Sequence, residues 1–247
     1  MTLVGPTFDL VVAANRLPVE RVLDAHGVGR WHRSPGGLVT ALDSVMQGRD
    51  AAWVGWSGEA GPAPAPFRKD GLHLIPVGMS PVEIQEYYEG FSNETLWPIY
   101  HDVIVPATFH RAWWNTYRTV NHRFAQAIAE VAAPGARIWV HDYQLQLVPA
   151  MVRELRPDVR IGWFNHIPFP PVQLFAQLPW RRSVVEGLLG GSGSWPTTRS
   201  TSPRSSTPSE APKRGSASTW PSYAWPAGST DDETDDESST TWSTPTS

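Results

Sequence analysis

Beyond Gly190 the chain loses every residue it would need to build a core. From Gly191 to Ser247 there is no Val, Ile, Leu, Met or Phe, while Ser, Thr, Pro and Gly dominate and an acidic run fills Asp231 to Glu237. Burial of apolar surface is what offsets the entropy of ordering a chain, so residues 191–247 are expected to be a disordered tail. The fold must therefore come from residues 1–190. Trp195, Trp220, Trp225 and Trp242 are out of character for a solvating tail. A GC-rich coding sequence read in the wrong frame yields this mixture of Ser, Thr, Pro, Arg, Gly and Trp, and an out-of-frame origin is preferred over a natural flexible tail.

The remaining totals exclude several classes. A formal net charge of -4 gives no electrostatic affinity for nucleic acid or for an anionic membrane. With no cysteine, disulfides, thiolate metal sites and cysteine nucleophiles are all ruled out. The first ten residues lack the basic and apolar blocks of a secretory signal, and no apolar run reaches the ~18 residues needed to span a bilayer. A cytoplasmic location is the expectation.

Residues 8–190 read as alternating strands and helices. Phe8 to Ala13, Ala51 to Trp56, Leu72 to Val77, Arg137 to Val140 and Arg160 to Phe164 are short apolar runs of the kind buried in a parallel sheet. Helices are expected over Leu38 to Met46, from Pro81 onward, over Leu145 to Leu155 and over Val172 to Leu178. Ser80 followed by Pro81 and Glu83 is a capping box with proline at the first helical position. Phe109, Trp113, Tyr117, Val120, Phe124, Ile128 and Val131 recur in steps of three and four, the stripe of one long helix. Strands alternating with helices imply a doubly wound, Rossmann-like α/β domain.

In such a sheet ligands bind beyond the carboxyl ends of the strands, where strand order reverses. Four places there carry polar chemistry. Arg16 follows the first strand and is either a phosphate fork or a surface cation. Gly36 and Gly37 open the first helix, either as a tight turn or as a bare backbone that lets amides approach a diphosphate. Asp142 follows the fourth of the strand runs and either caps the next helix or holds sugar hydroxyls. His166 follows the fifth and is either a core histidine or a crevice wall. Convergence of all four on one sheet edge would make a phosphosugar pocket. His141 and Asp142 are adjacent, but no third ligand at metal-binding spacing accompanies them, and Asp142 has no partner carboxylate for paired-acid hydrolysis.

The segments VVAANRLPV (11–19), SPGGLVTAL (34–42), WVGWSG (53–58), EYYEGFSNETLWPIYH (86–101), VHDYQLQLVPAM (140–151) and HIPFPPVQLFAQLPWR (166–181) resemble, in order and spacing, those of the trehalose-6-phosphate synthase family. The resemblance covers residues 8 to 190 and implies the N-terminal, acceptor-binding half of a two-domain GT-B glycosyltransferase. It implies glucosyl transfer from a nucleoside-diphosphate glucose (UDP-, ADP- or GDP-glucose) to glucose 6-phosphate, with retention and without metal or cofactor. By resemblance Arg16 and Tyr88 hold the acceptor phosphate, Asp142 contacts the glucose hydroxyls, and Trp97 and Trp56 lie near the acceptor. Gly36 and Gly37 meet the donor diphosphate through backbone amides. His166 stands beside the transferred glucose and with Asp142 is the candidate catalytic pair.

Two departures stand out. Asn165 occupies a position where the family pattern suggests Leu, and GLLG (187–190) runs into Gly191-Ser-Gly-Ser-Trp instead of a second domain. The tail offers no counterpart to the donor clamps of that domain, so the 247-residue polypeptide is expected to be inactive alone. Alternatives are a related transferase making glucosylglycerol phosphate or coupling cyclitols, and a non-catalytic sugar-phosphate-binding remnant. A stand-alone Rossmann oxidoreductase is disfavoured, because no glycine fingerprint follows the first strand.

Overall fold

Chain order and pairing put one strand at the centre of the sheet and make its end the place to look for a ligand. The computed structural model describes residues 6–191 except 25, 27–28, 47 and 102–105, all within the unit Met1–Thr198. The expectations for the tail beyond Gly191 lie outside the described residues. Six strands, β1 (Phe8–Arg16), β4 (Ala51–Ala60), β5 (Phe67–Lys69), β6 (Leu72–Met79), β7 (Ala132–His141) and β8 (Arg160–Phe164), form one sheet. Their order is β5-β6-β4-β1-β7-β8, and every pairing is parallel except that of β5 with β6. The chain winds outward from β1 through β4 to β6, then returns to β7 on the other side of β1. Strand order therefore reverses at β1, as a doubly wound sheet requires.

Alternation along β1 divides the core. Val11 and Ala13 face one side, with Val54, Val77, Tyr117, Val120, Phe124 and Ile128; Val12 and Ala14 face the other, with Trp53, Leu74, Leu42 and Met46. The first side is covered by α4 (Arg111–Val131) and α5 (Val148–Leu155), the second by α1 (Gly37–Met46). Tyr117, Val120, Phe124 and Ile128 are fully buried, and Val120, Phe124 and Ile128 each contribute about 1.5–3 kcal/mol by removal from water. The expected stripe thus holds, except at its start: Phe109 precedes the helix and is exposed.

Other elements differ from the sequence reading. A two-stranded antiparallel hairpin, β2 (Val19–Leu23) and β3 (Gly29–Arg33), was not foreseen. The Ser80 capping box is present, with the Ser80 hydroxyl accepting from the Glu83 N–H and the Glu83 carboxylate accepting from the Ser80 N–H. The helix it starts, α2 (Pro81–Glu83), passes directly into a wide π-type helix, Ile84–Leu96, and then into α3 (Trp97–His101). The single helix expected over Leu145 to Leu155 is a 3-10 turn, Tyr143–Leu145, followed by α5. α6 (Val172–Phe175) is shorter than the Val172 to Leu178 run, and α7 (Arg181–Gly190) closes the described chain. No helix among the described residues is long and apolar enough to cross a membrane.

Candidate functional site

Arg16 is placed by an irregularity in β1. The register with β4 shifts between Ala13 and Arg16, bringing Arg16 opposite Trp56. Its guanidinium carbon lies 4.8 Å from the centre of the Trp56 ring, a cation–π contact. Two glycines of the WVGWSG segment make room for it. A Cβ on Gly55 would come within 2.7 Å of the Arg16 carbonyl carbon, and one on Gly58 within 2.2 Å of its guanidinium. Gly58 also has φ +94°, which an L side chain rarely adopts. Neither role was read from the sequence, because each depends on a neighbour some forty residues away.

Tyr88 joins this pair from the π-type helix, its ring meeting that of Trp56 edge-on at 5.6 Å. Burial raises the Tyr88 phenol above its ordinary pKa, opposed by the positive charge of Arg16 and a hydrogen bond with Asn93, so it remains a neutral hydroxyl. The preceding residues lock the approach: the Tyr87 hydroxyl donates to Asn15 Oδ1 at 2.9 Å, with both residues buried. Asn15–Arg16 and Tyr87–Tyr88, seventy-two residues apart, are thereby held together. Trp56 is itself 3% exposed, with its Nε1 donating to the Glu59 carbonyl at 2.8 Å. It is a platform beneath Arg16 and Tyr88 rather than an open surface for a sugar.

Asp142 follows β7 with φ 65° and ψ 170°, a region almost reserved for glycine. It stands at the N-cap of the turn after it, but its side chain makes no capping hydrogen bond there, which disposes of the side-chain cap alternative. Its Oδ1 accepts instead from the His166 N–H at 2.9 Å, while its own N–H donates to the Phe164 carbonyl at 2.8 Å. Burial pushes its carboxyl above the usual carboxylate range, against the hydrogen bond and charge of His166. The turn is anchored from α4. Tyr117 donates to the Tyr143 carbonyl at 2.7 Å, Asn121 donates to the Gln144 carbonyl at 3.0 Å, and Asn121 Oδ1 accepts from the Leu147 N–H at 3.1 Å.

His166 is exposed, which removes the core-histidine alternative. Its Nε2 lies 3.0 Å from Nδ1 of His141, a buried residue that the sequence reading considered only as a metal ligand. Among the described residues no three His, Asp or Glu side chains gather as a metal-binding group. Asn165, the departure before His166, has both side-chain amide atoms buried without a hydrogen-bond partner, and nothing in the structure explains it.

Gly36 and Gly37 stand at the start of α1. A Cβ on Gly37 would meet nothing within 4 Å, and one on Gly36 only Val39 at 3.8 Å. Internal packing does not require these glycines. Trp97 is 40% exposed and stacks on His101 at 4.3 Å, within its own helix. The contacts of the described residues tie Arg16, Trp56 and Tyr88 into one group and Asp142, His141 and His166 into another. They join neither Trp97 nor the glycine pair to these groups.

The model of glycosyltransferase family 20 matches residues 9–192. A trehalose-6-phosphate synthase of Mycolicibacterium smegmatis is 57% identical over 187 residues, covering 76% of this chain and 37% of that protein. One from Mycobacterium avium is 58% identical over 186 residues, covering 74% and 38%. Among solved structures, a UDP-forming synthase of Burkholderia xenovorans in complex with glucose-6-phosphate has TM-score 0.60 at 30% identity, covering 74% of this chain and 39% of its own. The trehalose-6-phosphate enzyme of E. coli bound with UDP-2-fluoro glucose has TM-score 0.63 at 30% identity, covering 73% and 38%. The chain thus spans under two-fifths of the length of these relatives.

Proposed function

The chain belongs to glycosyltransferase family 20, and on that footing we propose that residues 1–190 are the acceptor-binding domain of a retaining transferase. The reaction is glucosyl transfer from a nucleoside-diphosphate glucose to glucose 6-phosphate, giving trehalose 6-phosphate. Arg16 and the Tyr88 hydroxyl grip the acceptor phosphate, Asp142 accepts from glucose hydroxyls, and Trp97 borders the sugars. Gly36 and Gly37 meet the donor diphosphate through backbone amides, and His166 contacts the glucose being transferred. The UDP-forming and UDP-sugar-bound relatives support UDP-glucose as donor.

The observation that carries this reading is the meeting of Arg16, Trp56 and Tyr88 at the end of β1, next to the strand whose end bears Asp142. A guanidinium braced on an indole beside a neutral phenol suits a phosphate dianion better than a lone surface arginine does. A half-buried carboxylate in a strained turn suits orientation of sugar hydroxyls. In the transfer, the acceptor's anomeric hydroxyl oxygen bonds to the donor's anomeric carbon as the bond to the diphosphate oxygen breaks. The hydroxyl proton passes to that departing oxygen on the same face. Positioning and charge stabilisation are what such a step needs from the protein.

Titration calorimetry with glucose 6-phosphate tests the assignment. Saturable binding is expected, weakened by about 1.5–3 kcal/mol in Arg16→Ala, the usual worth of a hydrogen bond to a charged group. Equal binding by Arg16→Ala would refute it. Residues 191–247 do not resemble the family's donor-binding domain, so the 247-residue polypeptide alone is expected to bind the acceptor without forming trehalose 6-phosphate.

A further inference from the structure

His141 and Asp142, consecutive in the chain, hold His166 in two places. Asp142 Oδ1 takes its backbone N–H at 2.9 Å, and His141 Nδ1 faces its ring Nε2 at 3.0 Å. The unusual φ of Asp142 lets neighbouring residues reach the same target. His141 is 1% exposed, lies against Trp139 at 4.8 Å, and its other nitrogen, Nε2, is buried without a hydrogen-bond partner.

We propose that His141 is a positioning residue that fixes His166 in the tautomer protonated on Nδ1. The inference rests on the reading that His166 faces the sugar, and it says what His166 offers there. One proton lies between the two rings. If His166 supplied it from Nε2, His141 would accept at Nδ1 and carry its own proton on Nε2, leaving a buried N–H with no acceptor. If His141 supplies it from Nδ1, the buried Nε2 is a bare lone pair. An orphaned acceptor is tolerated better than an orphaned donor, and burial in apolar surroundings keeps His141 neutral, down to a pKa of about 4. The second arrangement wins. His166 then accepts through Nε2, and its exposed ring presents Nδ1–H as a donor to a sugar oxygen.

Long-range 1H–15N spectra of the histidine rings, recorded at pH 8 on the 247-residue protein without substrate, read the tautomers directly. Both His141 and His166 are expected to be protonated on Nδ1. His141→Asn, whose amide can still donate toward Nε2, is expected to keep that form of His166. His141→Leu is expected to move His166 toward the Nε2-protonated form that imidazole favours in water. A wild-type His166 protonated on Nε2, or a His166 unchanged in His141→Leu, would overturn the proposal. Should His141→Leu fail to fold, the wild-type and His141→Asn spectra decide alone. The tautomer is read without ligand, so it stands or falls apart from the sugar site, which glucose 6-phosphate binding tests separately.

Discussion

Replacing Asp142 by glycine and by alanine separates backbone strain from lost chemistry. Both variants lose the carboxylate and its hydrogen bond from the His166 N–H, so that cost cancels between them. What remains is the fit of the new residue to φ 65° and ψ 170°. Holding a non-glycine residue in this region costs about 1–3 kcal/mol. Glycine's greater freedom in the unfolded chain counts the other way by about 0.5–1 kcal/mol. At the centre of both ranges the difference leaves Asp142→Gly more stable than Asp142→Ala by about 1 kcal/mol, the reverse of the order at most positions. With a urea slope of about 2 kcal/mol per molar, the midpoints should differ by roughly 0.5 M. Equilibrium urea unfolding followed by tryptophan fluorescence measures this. An alanine variant as stable as the glycine variant would refute the claim that the turn stores strain. Binding of glucose 6-phosphate should be impaired in both.

Three further outcomes follow from the same geometry. Gly58→Ala combines a φ of +94° with a clash at the Arg16 guanidinium, so calorimetry should show glucose 6-phosphate affinity falling toward that of Arg16→Ala. Gly37→Ala should fold as well as wild type or better by about 0.5 kcal/mol, since its Cβ meets nothing and alanine favours a helix; nucleoside-diphosphate glucose titrated by NMR should nonetheless bind more weakly. His141 is held neutral in the fold, its pKa depressed from 6.5 to about 4 by burial and by the charge of His166, so its contribution to stability is present above pH 6.5 and lost as pH falls toward 4. About 3 kcal/mol is an upper bound on that loss, and urea midpoints from pH 7 to 4.5 should fall less steeply in His141→Asn.

Much of the sheet was legible because its signals are local. β8 coincides with its apolar run, and the Ser80–Glu83 capping box is written within four residues. The hairpin β2–β3 escaped because after Val19 the residues of β2 are exposed, so no period-two pattern marks it. The π-type helix escaped for a related reason: i→i+5 helices are rare, and the 3.6-residue period that marks an α-helix does not signal one. Gly90 shows what the position demands only in three dimensions, where a Cβ would lie 2.6 Å from the Trp113 ring. At the site, the residue types were legible at strand ends and in the family-like segments. Their supports were not: Gly55 and Gly58 beneath Arg16, Asn15 with Tyr87, and His141 behind His166 each join residues far apart in the chain.

A double-mutant cycle on Arg16 and Tyr88 tests the phosphate grip most directly. Kd for glucose 6-phosphate is measured for the wild type, Arg16→Ala, Tyr88→Phe and the double variant. If the guanidinium and the phenol hold one phosphate, the losses are non-additive, with a coupling of about 0.5–3 kcal/mol. The same cycle run with glucose should show no coupling. Additive losses with glucose 6-phosphate, or equal coupling with glucose, would contradict the account.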